Sequence, residues 1–516
     1  MTPCPVLRRL FLGFAAALLL ATAATAATAP ASVQIRVDAQ AGGTPFPHFW
    51  ETTFGSGRAS LALRDDYRQD LDSVRQATGF SYVRFHGIFD HDVGLVNREP
   101  DGSIRYNFSY IDQIYDGLLE HGVKPFVELS FMPPALTSDP QALQEFWYHP
   151  NIAPPKDYAE WDAMIAAFAK HLVERYGIDE VASWYFEVWN EPNIGFWAGK
   201  PQQPTYFTLY DHTVRALKGV NPRLRVGGPS TAQGAWVPAF LAHAKKDNLP
   251  VDFVSTHVYG DDTAEHVFHT AEDIPRRDMV CRTVDKVHKE ILASPYPHLP
   301  LVFSEYNASY ANLPNVTDTI FMGPWMANTI RECAGKIQIM SYWSFSDVFE
   351  EQGIVRNPFY GGFGLIAAYR IPKPAFNAFA LLHKLGDHQL SSTSDSALIT
   401  RRDDGSVVLA LWNYVPPVGK TASYTAGAPA GASKHFTVNV RNLSATAHAT
   451  VWRLDENHGN AVALFNTMGR PDSPSREQIV QLRKAGQLAA AEQLDVHNGK
   501  FEIDIPPQGL VVVELR

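Results

Sequence analysis

Two glutamates dominate the chemistry available in this chain. Glu191 lies in Trp184–Asn193, WYFEVWNEPN, and Glu305 lies in LVFSEYNASY. Both stretches are apolar runs of strand length that end in a carboxylate, and the first is closed by Asn190, Glu191 and Pro192. Two carboxylates aimed at one sugar are the equipment of glycoside hydrolysis, and a separation of about 5–5.5 Å selects the retaining, double-displacement route. At ~5 Å and an effective dielectric near 20, two such charges repel by roughly 3 kcal/mol, or about two pKa units. One then stays ionised and attacks, while the other is held protonated near neutral pH and donates. Glu187 sits four residues before Glu191 on the same side of the strand. That position is interior, and an ion pair with Arg84 of YVRFHG is expected there.

Such glutamates need a scaffold that presents strand ends together. From about residue 45 to 385 short apolar runs alternate with amphipathic segments: HFWETTFG, SYVRFHGIF, KPFVELSFM, WYFEVWNE, LRVGGPS, VDFVSTHVYG, LPLVFSEYN and IMSYWSFSD. Helical patterns such as YIDQIYDGLLEHG and WDAMIAAFAKHLVERYG lie between them and end in glycine, which suits a helix C-terminus. Eight strand-then-helix units over ~340 residues predict a (β/α)₈ barrel, an α/β fold, closing with the helix in KPAFNAFALLHKLG. An open doubly wound sheet is the rival, but no glycine-rich phosphate loop follows the first strand. In a barrel the residues that close strands face the active rim. Glu191, Glu305, His86, His257 and Tyr259 all hold such positions. No i,i+4 histidine pair or ligand cluster accompanies the histidines, so no metal is expected.

After residue 390 the texture becomes short alternating strands, SALITRRDDGSVVLALWNY, KHFTVNVRN, ATVWRLD and KFEIDIPPQGLVVVELR, interrupted by one helical stretch, SREQIVQLRKAGQLAAAE. An antiparallel β-sandwich over 390–516 is predicted, with the strand at 32–40 (SVQIRVDAQ spans it) joining from the N-terminal side. Two units agree with a length of 516 residues, since one core rarely grows past ~250–300.

Arg8 and Arg9 precede an apolar run that ends in small residues, with an A-x-A match at Ala24-Thr25-Ala26. Residues 1–26 therefore read as a signal peptide for export to periplasm or medium. Its removal leaves 42 basic against 54 acidic residues, a net charge of −12, with no Lys/Arg stripe. Nucleic acid and, after cleavage, membrane are excluded as expected partners. Cys281 and Cys333 remain, either bridged or as buried thiols. Oligomeric state is not legible.

The run WYFEVWNEPN is similar to the signature of glycoside hydrolase family 39, the family of β-xylosidases and α-L-iduronidases. The likeness extends from about Asp65 to Arg516 through PPKDYAEWDAMI, HLVERYGIDEV, PVDFVSTHVY, SYWSFSDVFEE, GGFGLIA, IPKPAFNAF and MGRPDSPSR, and is stronger to the bacterial β-xylosidases. The resemblance implies Glu191 as acid/base, Glu305 as nucleophile, and retention without a cofactor. It further implies that Asn190 bonds the sugar 2-hydroxyl, that His86, His257 and Tyr259 touch the sugar or orient the glutamates, and that Trp343, with a cis bond to Ser344, forms a platform under the sugar. Phe131 becomes a pocket wall, and Glu350 and Glu351 become acceptors for sugar hydroxyls. On this basis a retaining exo-β-1,4-xylosidase acting on xylobiose and xylooligosaccharides is expected. The alternatives are another pentosidase, an α-L-iduronidase, or a non-catalytic sugar-binding barrel, which has no need of both glutamates.

Two local features bear on specificity. The loop SFSDVFEEQGIVR presents Asp347, Glu350 and Glu351 before any arginine, an acidic edge that would repel an iduronate carboxylate. WETTFGSGR, residues 50–58, carries Thr52 where the family commonly has histidine, so an altered contact at the pocket floor is expected.

Overall fold

The computed structural model describes residues 31–417, 429, 431–443 and 448–516. The predicted signal segment, residues 1–26, lies outside them. Eight parallel strands form a closed barrel in chain order: Thr53–Gly55, Tyr82–Phe85, Lys124–Leu129, Tyr185–Val188, Arg225–Thr231, Phe253–Tyr259, Leu301–Asn307 and Ile339–Tyr342, one for each of the eight predicted runs, the fifth extending one residue past its run to Thr231. These are called the first to eighth barrel strands. They read as continuous apolar runs because both faces are covered, the inner by packed side chains and the outer by helices.

The helices end where their sequences provide for it. Asp65–Thr78 stops at Gly79, whose φ of 67° is a left-handed conformation natural to glycine. In Tyr158–Tyr176 the Asp157 side chain accepts from the Ala159 N–H, capping the first turn, and the helix buries Trp161, Met164, Ile165, Phe168 and Leu172 along one face. The last barrel helix, Pro374–Leu382, begins with proline, which forgoes a hydrogen bond the first turn lacks anyway.

The second unit packs a three-stranded sheet (Ala31–Asp38, Lys434–Arg441, Lys500–Ile505) against a seven-stranded one built chiefly from Ala397–Arg401, Val407–Trp412, Ala449–Leu454 and Leu510–Leu515. A separate core fills the space between them, with Ile35, Val37, Leu409, Phe436, Val438, Ile503 and Val513 all buried. This sandwich is not purely antiparallel: Ala31–Asp38 pairs with Lys434–Arg441 in parallel, Ile35 opposite Val438. The predicted helical stretch forms Arg476–Ala485, opened by a capping box between Ser475 and Gln478. Together with Ala461–Thr467 it packs on Phe359 and Ile371 of the barrel through Phe465 and Leu482.

Cys281 and Cys333 form a disulfide with Cα atoms 5.2 Å apart, joining two neighbouring barrel helices. Of the two states open in the sequence, the structure has the bridge. No helix among the described residues is long and apolar enough to cross a membrane.

Candidate active site

Arg84 organises the rim. It is fully buried in the second strand, where an unpaired cation would be prohibitively costly. Its planar fork spends its N–H groups on four neighbours: Nε on Glu187 (2.6 Å), Nη1 on Glu305 (2.7 Å), and Nη2 on both Glu128 (2.7 Å) and Asn190 Oδ1 (3.0 Å). One guanidinium thus ties the third, fourth and seventh strands to the second. The expected Glu187–Arg84 pair is present. Glu128, which sequence reasoning missed, looked like a charged interruption of an apolar strand, the same signal Glu187 gave.

Glu191 follows the fourth strand on a backbone bent into the left-handed region, with φ of 72° at Trp189 and 44° at Glu191. Left-handed conformations cost a non-glycine residue of order 1–3 kcal/mol and persist where surroundings enforce them. Here the Glu191 N–H donates to the Ser230 carbonyl (2.8 Å), and Trp189 Nε1 to the Phe196 carbonyl (2.7 Å). Glu305 projects from the seventh strand. Its Oε1 accepts from Arg84 and its Oε2 from the Tyr259 hydroxyl (2.5 Å). Oxygens of Glu191 and Glu305 lie within 4.8 Å of each other, with His257 Nδ1 2.9 Å from one and 3.6 Å from the other.

Environment separates the two acids. Burial pushes Glu191 up to about 7, aided by Glu128 and Glu187 against the pull of His86 and Arg84. Glu305 is also raised by burial and by Glu191, but donors occupy both of its oxygens, as an anion requires. His257 is driven down to about 4 by burial, so it is neutral. His86 is the reverse: burial opposes its charge, yet Glu128 at 2.7 Å, Glu351 and Glu305 prevail and raise it to about 10.

Above these groups opens a cavity of about 370 Å³ lined by His86, Asn190, Glu191, Tyr259, Glu305, Trp343 and Glu351. Phe146, Ile194, Phe196, Gln233, Asp262, Tyr310 and Phe363 also contribute to its wall and mouth. Sequence reasoning did not reach these last residues, because they sit in loops whose paths no periodicity reveals. Trp343 lies 4.7 Å from His86 between ring centroids, and its bond to Ser344 is cis. Gly55 makes room for it: a Cβ there would fall 2.1 Å from Trp343 Cε3.

Four expectations change. Glu350 does not reach the cavity; Arg58 (3.0 Å) and Arg64 (2.9 Å) clamp its carboxylate on the far side of the loop. Asp347 is buried against Lys373 (3.1 Å), leaving Glu351 as the loop's one acid in the lining. Phe131 stands behind the lining, its ring 5.9 Å from His86 and 5.7 Å from Trp189. Thr52 is not at the floor at all. It precedes the first strand at the opposite end of the barrel, its hydroxyl donating to the His48 carbonyl (3.2 Å).

Residues 33–495 match the family model for glycosyl hydrolases family 39. The chain belongs to glycoside hydrolase family 39. It is 39% identical over 471 residues to a β-xylosidase of Geobacillus stearothermophilus, covering 89% of this chain and 90% of that one. The crystal structure of a monomeric β-xylosidase from Caulobacter crescentus CB15 superposes with a TM-score of 0.84 at 34% identity, over 94% and 99% of the two chains. The human α-L-iduronidase is 27% identical over 232 residues, 43% of this chain and 33% of that enzyme. This family 39 chain is a glycoside hydrolase with a (β/α)₈ barrel and a β-sandwich.

Proposed function

We propose that this family 39 hydrolase is a retaining exo-β-1,4-xylosidase that removes xylose from the non-reducing end of xylobiose and xylooligosaccharides, with Glu305 as nucleophile and Glu191 as acid/base. The observation carrying the reading is the pair of glutamate oxygens within 4.8 Å, a spacing suited to direct attack rather than to an intervening water. Glu305, ionised between Arg84 and Tyr259, attacks the anomeric carbon while protonated Glu191 gives its proton to the leaving oxygen. In the glycosyl ester the nucleophile's charge is gone, so Glu191 then takes a proton from the water that releases the sugar. Asn190, held by Arg84, faces the cavity where a 2-hydroxyl would lie.

A neutral sugar is favoured because, among the described residues, no lysine or arginine lines the cavity, and the charged imidazole there, His86, is already paired with Glu128 and Glu351 rather than free to meet an iduronate carboxylate. The exo preference is supported by a backbone hydrogen bond, Trp147 N–H to the Glu351 carbonyl (2.7 Å). It joins the loops after the third and eighth strands on one side of the cavity. The signal-like pattern of residues 1–26 supports a location outside the cytoplasm, in periplasm or medium. Proton NMR of p-nitrophenyl β-D-xylopyranoside hydrolysis tests the reading, with the α-L-iduronide and α-L-arabinopyranoside alongside and Glu305→Ala as control. β-Xylose as first product and a dead variant are expected. First appearance of α-xylose defeats retention, and turnover of the iduronide alone defeats the substrate class.

A further inference from the structure

Behind the acid/base lies a chain of hydrogen bonds whose protons can be counted. Glu191 Oε1 is 2.9 Å from His257 Nδ1, His257 Nε2 is 3.1 Å from Ser304 Oγ, and Ser304 Oγ is 2.5 Å from Glu187 Oε1. Ser304 has one hydroxyl proton, and Glu187, held at its other oxygen by Arg84 Nε, is a carboxylate that can only accept. The shorter, charge-assisted bond takes that proton. Arg84 Nη2, 3.5 Å from His257 Nε2, has committed both hydrogens to Glu128 and Asn190. Ser304 therefore faces His257 as an acceptor, and the Nε2 position must carry the imidazole hydrogen.

Resting on the functional reading above, we infer that Ser304 is a positioning residue for catalysis: it fixes His257 as the Nε2–H tautomer, whose bare Nδ1 accepts a hydrogen bond from protonated Glu191. The neutral state of His257 agrees with its burial. This arrangement acts in both half-reactions. In the first, the bond at Nδ1 keeps the proton on Glu191 until the leaving oxygen takes it: the Glu191 O–H bond breaks and the leaving-group O–H bond forms. Glu191 is then a carboxylate facing a lone pair, an unfavourable pairing in a dry site. That repulsion makes it a stronger base toward the incoming water: one water proton passes to Glu191 as the water oxygen bonds the anomeric carbon, and the ester bond from that carbon to Glu305 breaks, returning the electron pair to the Glu305 carboxylate.

Other charges also face this pair: Arg84 and His86 from the second strand, Glu128 from the third, Glu187 from the fourth, Asp262 after the sixth, Glu305 from the seventh and Glu351 after the eighth. A test must leave them in place. Ser304→Thr and Ser304→Val add similar bulk and differ in the hydroxyl, and valine fills the space a substitute water would need. Without the hydroxyl, His257 is free to put its hydrogen on Nδ1 and stabilise ionised Glu191. The basic limb of kcat/KM on an aryl β-D-xyloside with a poor leaving group is expected to fall by about one pH unit in Ser304→Val and to stay in place in Ser304→Thr. Equal limbs in the two variants overturn the proposal. Nitrogen-15 NMR of histidine-labelled wild type at pH 6, with His257→Gln to assign the signals, reads the tautomer without substrate or folding of either serine variant. A hydrogen on Nε2 is expected; one on Nδ1 overturns the inference. Should the wild type turn over no xyloside, the functional reading fails, while the tautomer is still decided by this spectrum.

Discussion

At the residue scale the proposed division of labour between the two glutamates makes a signed prediction. Glu191 works as a donor only when protonated, and burial raises it to about 7. For xylosides with poor leaving groups kcat/KM should hold below that value and fall as pH rises through it. Glu191→Gln should remove this limb and cost about 10²–10⁴-fold on such substrates, with a much smaller loss on dinitrophenyl xyloside, which needs no proton. A pH–rate series on both substrates measures it; equal losses would deny Glu191 the acid role. Gly55→Ala makes a second prediction. The added methyl intrudes on Trp343 Cε3, so the indole must leave its seat and KM should rise with little change in Tm. Glu191 and Glu305 were readable in sequence because a carboxylate closing an apolar strand has one direction in which to point. Glu350 and Glu351 were not separable, because adjacent loop residues face opposite sides and only the partners, Arg58 and Arg64 against His86, decide which faces the cavity.

At the element scale the barrel was legible because parallel strands covered on both faces must be apolar throughout, and eight such runs stand out from amphipathic helices. The loops that shape the cavity carry no such period, so Phe146 and Phe196 came to light only in three dimensions. What fixes the loop after the eighth strand is equally remote in sequence. Lys373 Nζ, fully buried, donates to Asp318 (2.8 Å), to Asp347 (3.1 Å) and to the Gly362 carbonyl (2.8 Å), while the Gly364 N–H donates to Asp347 (2.7 Å). The last barrel helix is thereby bolted to the loop bearing Glu351. Lys373→Met leaves two buried carboxylates without their cation, and breaking such a group costs about 3–5 kcal/mol. Denaturant unfolding should show that loss together with reduced activity, since the loop loses its anchor. A variant as stable as wild type would mean the two carboxylates find other partners.

At the scale of the whole molecule, the two ends of the described residues meet in the sandwich. Ala31–Asp38 runs parallel to Lys434–Arg441, far away in sequence, and an alternating strand announces its inner face but not its partner or direction. Ile35 and Val37 point into the sandwich core and are 2% and 3% exposed. Cleavage after Ala26, the processing expected from the sequence, would leave this strand whole. A variant of the mature protein starting at Gln40 would forgo burial of those two side chains, about 3–6 kcal/mol, and would open the 434–441 edge to pairing with another copy. Calorimetry should show a lower unfolding temperature and sedimentation a tendency to associate. Below that temperature kcat/KM should match wild type, because the glutamates are positioned by the barrel and none of their contacts comes from residues 31–39. Unchanged melting would mean the strand merely decorates the sheet, whereas lost activity in a still-folded variant would mean the sandwich helps to shape the catalytic rim.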